Sequence, residues 1–164
     1  MTTHRTRPES SNKAEQEVAL AHLRPLTGRW NLELSVPTNP PTILRDLWST
    51  FDWMEGGLFL IWRWGPARSD FPGLFFPSAL SVIGYDNSME QYFVHYFDSR
   101  GVYRILDMAK VNGGWKMWRT SPDFSQRMTL TLNDDSRAMS ALLERSIEGE
   151  KWDHDFDMTF TKVT

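Results

Sequence analysis

Apolar and polar residues alternate along most of the chain, and the stretch KWDHDFDMTF near its end does so with hardly a break. One row holds Trp152, His154, Phe156, Met158 and Phe160, while aspartates occupy most of the other row. Successive side chains of a β-strand point to opposite faces, so this period predicts a strand with one buried face and one solvated face. His154 belongs to the row predicted to be buried, and we expect it to point inward.

Nine earlier segments have a similar strand character and are separated by turn signals. The predicted strands cover residues 28–36, 43–54, 58–64, 79–86, 90–97, 102–111, 114–120, 124–132, 137–147 and 151–163. Glycine and asparagine accept positive φ, so NGG at 112–114 favours a hairpin, whereas the Pro/Gly-rich segment 65–77 is too long for one and predicts a loop.

Consecutive hairpins predict an all-β fold, an antiparallel up-and-down sheet of about ten strands. Open edges in such a sheet are costly, and closure into a β-barrel removes them. A helix packed on an open, curved sheet is the alternative architecture. The closed barrel is preferred because the sequence predicts only one short helix, at the N-terminus.

That helix is predicted over residues 13–23. Asn12 followed by Glu15 resembles a capping box, and Pro25 disfavours helical backbone in the residue before it. Residues 1–11 are polar and predict a disordered tail, which leaves 12–164 as a single domain that includes the helix.

Composition excludes several classes of function. Eighteen basic and 21 acidic residues leave a net charge of −3, so we expect neither nucleic acid nor a membrane surface as a partner. The chain has no cysteine, hence no disulfide, thiolate metal site or thiol nucleophile. No apolar run approaches the roughly 20 residues of a bilayer span, and the N-terminus lacks the apolar core of a secretory signal. We therefore expect a cytoplasmic protein, and a homodimer stays open.

Several turns carry a resemblance to a known group of barrels. LTGRW at 26–30 opens the first strand as a Gly-x-Trp motif does in lipocalin-like, or calycin, barrels. The turns WMEGG (53–57), GYD (84–86) and FDSRG (97–101) resemble those of an uncharacterised bacterial family of lipocalin-like barrels, over nearly the whole chain after the helix. The resemblance implies a calycin fold that holds a small ligand.

Aromatic residues are numerous and suit the wall of such an interior, since the chain has eight Trp, ten Phe and four Tyr. We expect a small apolar or aromatic ligand, with His154 or Arg145 as its polar contact. The predicted lining residues are Trp62, Trp64, Phe93, Trp115 and Phe156.

Three alternative functions depend on which side chains occupy the barrel interior. His95 lies in EQYFVHYF, a strand whose inward face the pattern does not determine, and either His95 or His154 would serve an enzyme as acid or base. A more distant resemblance, to nitrobindin-like barrels that bind haem through a histidine near the C-terminus, implies haem with His154 as its axial ligand. In the third alternative, the protein's own large side chains fill the interior, and the protein serves only as an interaction domain. The sequence contains no GxSxG, P-loop or GxGxxG motif, and it identifies no cofactor.

Overall fold

The structure, a computed structural model, describes residues 9–147 and 150–164. One α-helix, α1 (Glu9–Ala21), and a 3₁₀ turn (Arg24–Leu26) precede twelve strands. The strands are β1 (Gly28–Val36), β2 (Thr42–Trp53), β3 (Leu60–Gly65), β4 (Arg68–Phe71), β5 (Leu74–Phe76), β6 (Ala79–Asp86), β7 (Gln91–Asp98), β8 (Tyr103–Val111), β9 (Gly114–Arg119), β10 (Ser125–Leu132), β11 (Ala138–Ser146) and β12 (Asp153–Lys162).

Ten of these strands form a closed antiparallel barrel. Going round the ring, the order is β1, β12, β11, β10, β9, β8, β7, β6, β3 and β2, which returns to β1. Closure is made by β1, in which Leu32 pairs with Phe160 of β12 on one side and with Leu47 of β2 on the other. The predicted all-β up-and-down barrel is therefore confirmed, and it is consistent with a calycin-like fold. The open-sheet alternative is wrong.

The helix covers one end of the barrel. The buried side chains Leu20, Leu23 and Leu26 pack there, and the Tyr92 hydroxyl donates a hydrogen bond of 2.7 Å to the carbonyl of Ala19. Burial of Leu20 in the helix, and of Leu23 and Leu26 just after it, ties the short helix to the barrel, which propensity alone would not do. No helix among the described residues is long and apolar enough to cross a membrane.

The helix boundaries differ from those predicted. The helix begins at Glu9 and ends at Ala21, so Asn12 lies inside it rather than at its start. A capping-box pattern is a local preference, and helical backbone continues through it when the preceding residues also tolerate the helix. Of the tail predicted to be disordered, residues 1–8 lie outside the described residues.

The other end of the barrel carries the segment predicted to be a plain loop. Its residues form the two-stranded sheet of β4 and β5 between β3 and β6. The ring of Phe76 in β5 meets Phe156 of β12 edge-on, with 6.4 Å between centroids. This contact places the small sheet beside the barrel mouth, away from α1.

A β-bulge in β12 changes which residues face inward. Leu143 of β11 pairs with Phe156, but the next residue, Glu144, pairs with His154, so Asp155 is an extra residue in β12. A bulge of one residue exchanges the faces of the strand on its two sides. Phe156 remains inside, whereas the predicted inward orientation of His154 is wrong.

A second bulge lies in β2. Leu32 pairs with Leu47 and Leu34 with Leu44, so two residues of β2 face one residue of β1, and Asp46 has a φ of 59°. The sequence marks this bulge, because the buried Leu44 and Leu47 are three positions apart instead of two. The bulge in β12 leaves only a weak mark, since His154 is the one residue of its row in KWDHDFDMTF that is not apolar.

Candidate ligand-binding cavity

The barrel contains a large cavity in the half that lies away from α1. Its volume is about 400 Å³. Apolar side chains from many strands form most of its wall, among them Leu34, Leu44, Val94, Leu106, Met128 and Phe156. The half next to α1 is filled by fully buried side chains such as Trp30, Phe51 and Phe160, so the cavity ends there.

Two tryptophans of β3 stand side by side in the wall. Residues i and i+2 of a strand share a face, and the rings of Trp62 and Trp64 lie 4.6 Å apart between centroids. Trp62 also stacks on Phe51 at 5.0 Å, and its Nε1–H donates to the hydroxyl of Ser49 at 2.9 Å. The Nε1–H of Trp64 is buried and makes no hydrogen bond within the described part of the chain.

The mouth is polar on the side of β10, β11 and β12. Arg145 and Asp155 form a long ion pair of 3.7 Å, and the Gln126 amide donates to Asp155 at 3.5 Å. The side chain of Arg145 is 53% exposed, so the cavity reaches the surface beside it. Burial raises the pKa of Asp155, although the positive charge of Arg145 acts in the opposite direction.

A second polar group lies at the turn between β7 and β8. Asp98, whose side chain is fully buried, accepts hydrogen bonds from the Tyr96 hydroxyl at 2.7 Å and from Arg100 Nη2 at 2.6 Å. Burial alone would raise the pKa of Asp98, but these donors and the Arg100 backbone N–H outweigh it and lower the pKa to about 2. Burial, followed by the hydrogen bond to Asp98, raises the pKa of the Tyr96 hydroxyl.

This network accounts for the turn FDSRG on which the family resemblance partly rests. Asp98 also accepts the backbone N–H groups of Arg100 and Val102, and Gly101 has a φ of 81°, which favours glycine. The motif therefore builds the turn and holds Arg100 at the cavity mouth.

Four of the eight predicted site residues line the cavity: Trp62, Trp64, Arg145 and Phe156. Trp115 is buried but lies deeper, where its ring meets Tyr92 edge-on at 5.0 Å. It belongs to the packed half of the interior and does not line the cavity.

The other three predicted site residues lie on the outer face of the barrel. In β7 the inward residues are Tyr92, Val94 and Tyr96, so Phe93 and His95 point outward. Phe93 covers Gly84, where an added Cβ would lie 2.5 Å from the ring, and His95 Nδ1 lies 2.9 Å from the Tyr103 hydroxyl. The predicted inward orientation of Phe93 is therefore wrong, since alternation alone allowed either face.

His154 is on the outside because of the bulge. Its Nε2 lies 3.0 Å from Asp157, and its side chain is 42% exposed. In a regular strand residues i and i+3 point to opposite faces, and the extra residue at Asp155 brings these two to the same face.

No histidine among the described residues lines the cavity, and this bears on two hypotheses. His95 and His154 lie outside, and His22 lies near the Tyr92 hydroxyl at the helix end, 3.4 Å away. The residues present thus do not fit haem held by an interior histidine. An enzyme that uses His95 or His154 as an interior acid or base is equally without support. Within the described ranges, no three His, Cys, Asp or Glu side chains cluster so that they would hold a metal ion.

Sequence reasoning missed four polar residues of the mouth: Arg100, Arg104, Gln126 and Asp155. Two of them carry a signal, because Arg104 falls in the same row as the buried Met108, and Gln126 in the row of Met128. Asp155 carries none, since only the bulge turns its carboxylate inward.

Comparison with known proteins gives no further information about function. No protein-family model matches this sequence, and no curated protein is significantly similar to it. The functional argument therefore rests on the cavity.

Proposed function

We propose that the chain binds one small, mainly apolar molecule inside the barrel. The observation that carries this proposal is the cavity of about 400 Å³ with an apolar wall and a polar mouth. Sites for small molecules typically have volumes of roughly 300–1,000 Å³, apolar linings and a few polar anchors. The alternative of an interior filled by its own side chains is less well supported, because only the half next to α1 is filled.

Three further features support the proposal. The paired rings of Trp62 and Trp64 offer an aromatic surface to a planar or aliphatic ligand. The likeness of several turns to lipocalin-like bacterial barrels suggests a ligand-binding relative, and the barrel supports that likeness at the level of the fold. The absence of cysteine suits a ligand met in a reducing cytoplasm.

The test is a titration with the neutral apolar dye N-phenyl-naphthylamine, whose fluorescence rises in an apolar site. We expect saturable binding to the wild-type protein, and loss of at least tenfold in affinity for Leu106→Trp, because the larger ring occupies the cavity. Ile105→Trp is the matched control, since Ile105 is the neighbouring residue on the outer face and is 55% exposed. An equal effect of the two substitutions, or no binding to the wild type, would contradict the proposal.

A further inference from the structure

Arg104 is a cation at the cavity mouth that forms no ion pair with a carboxylate in the described part of the chain. Arg104 of β8 points inward between the exposed Tyr103 and Ile105 and lines the cavity. Its Nη1 donates to the Gln126 side-chain oxygen at 3.1 Å, and its guanidinium lies over the ring of Phe124, 4.7 Å from the centroid. Within the described residues no carboxylate forms an ion pair with it. These contacts hold the guanidinium at the mouth without neutralising its charge.

The other two arginines of the lining do have carboxylate partners. Arg100 is held by Asp98, and Arg145 pairs with Asp155. Each of these pairs is close to neutral as a unit, so the charge of Arg104 remains in excess at the mouth.

Arg119 adds to this positive charge. Its Nη1 donates to the backbone carbonyl of Phe124 at 3.2 Å, on the same segment that Arg104 stacks against. Burial lowers the pKa of Arg104, and repulsion from Arg119 and Arg100 acts in the same direction, whereas the nearby Tyr96 and Asp98 act in the opposite direction. A mouth with excess positive charge is notable in a chain whose net charge is −3.

A half-buried cation without a counter-charge costs free energy, which an anion placed beside it recovers. The Arg104 guanidinium suits such an anion, because its N–H groups form a planar fork that matches a carboxylate or phosphate. The apolar wall begins directly below, at Leu106 and Met128.

We propose, on the basis of the proposed function, that the ligand is an amphipathic anion whose acidic head group binds Arg104 and whose apolar body lies between the tryptophan pair and Phe156. Gln126 then has a positioning role, because its side-chain oxygen accepts from Arg104 and its amide donates to Asp155. Its side chain thus bridges Arg104 and Asp155, which form no ion pair with each other among the described residues.

The experiment compares decanoate with decan-1-ol, which share a chain length and differ in head-group charge. Each competes with N-phenyl-naphthylamine for the wild type, Arg104→Gln and Arg63→Gln. Arg63 is exposed on the outer face of β3, so its substitution changes the net charge equally without touching the cavity. We expect Arg104→Gln to weaken decanoate about tenfold and decan-1-ol less than twofold. Arg63→Gln is expected to change neither.

The outcomes separate the two proposals. If the wild type binds neither the dye nor either competitor, the proposed function fails. If the dye binds but decanoate does not compete, or if Arg104→Gln leaves decanoate unchanged or weakens both competitors equally, only the anionic head group is refuted. Thermal unfolding and retained dye binding establish that Arg104→Gln is folded.

Discussion

At the scale of single residues, Trp62 and Trp64 differ in one polar contact although both line the cavity. Trp62 donates to Ser49, which is fully buried, and Trp64 has no partner within the described residues. We expect Trp62→Phe to lower the free energy of unfolding by about 1 kcal/mol more than Trp64→Phe, since only the former breaks a buried hydrogen bond. Urea denaturation of the two variants measures this, with Ser49→Ala as a check on the same bond. Equal losses would contradict the assignment.

Asp98 is the residue whose charge should be most visible in the pH dependence of stability. Its pKa in the folded protein is about 2, below the ordinary value of 3.8. A lowered carboxyl pKa stabilises the fold above the ordinary pKa, and this stabilisation is lost as the pH falls through the folded pKa. We therefore expect Asp98→Asn to be less stable than the wild type by about 2 kcal/mol at pH 6. The difference should shrink between about pH 4 and pH 2.

Denaturant titrations at several pH values test this prediction for Asp98. The control is Asp52→Asn, which removes an exposed carboxylate from β2 and should change stability little at any pH. A difference between Asp98→Asn and the wild type that stays constant down to pH 2 would show that the charge of Asp98 is not what stabilises the turn.

At the scale of an element, the bulge in β12 decides the orientation of His154 and Asp155. Without it, His154 would share the inner face with Phe156, whereas Asp155 would lie outside. Because the chain contains no cysteine, single cysteines report this arrangement directly. We expect His154→Cys to react quickly with a maleimide in the folded protein and Met158→Cys to react at least tenfold more slowly, because Met158 is 2% exposed. Similar slow rates for both would mean that the strand is regular.

At the scale of the whole molecule, closure through β1 and β12 removes the edges of the main sheet. Amides of Leu32 and Phe160 lie in strands that have neighbours on both sides. We expect these strands to exchange hydrogen as slowly as β10. The small β4–β5 sheet should exchange at least about 100-fold faster, because a two-stranded sheet is only marginally stable by itself.

Hydrogen exchange followed by nuclear magnetic resonance measures both parts of this prediction. Fast exchange in β1 or β12, at the rate of the β4–β5 sheet, would indicate that the barrel opens between them. Slow hydrogen exchange in β12 on both sides of Asp155 would show in addition that the bulge does not weaken the pairing of β12 with its neighbours β1 and β11.

Local pattern was enough to predict the number, order and approximate bounds of the barrel strands. Strands β1 and β6 begin and end at the residues that alternation and turn chemistry predicted. Closure followed from the same pattern, since ten hairpin-linked strands have costly edges unless the first pairs with the last. The strand pattern also placed Trp62, Trp64, Arg145 and Phe156 on the rows that line the cavity.

Only the tertiary structure decided which groups share the cavity mouth. A one-residue bulge at Asp155 reverses the facing of His154, and the alternation gives only a weak sign of it, because this histidine is the one residue of its row that is not apolar. The isolation of Arg104 is likewise a property of three-dimensional neighbours, since it depends on Asp98 and Asp155 being held by other arginines. Strand periodicity determines the two faces of each segment, whereas register and bulges determine which face is inside and which charges meet there.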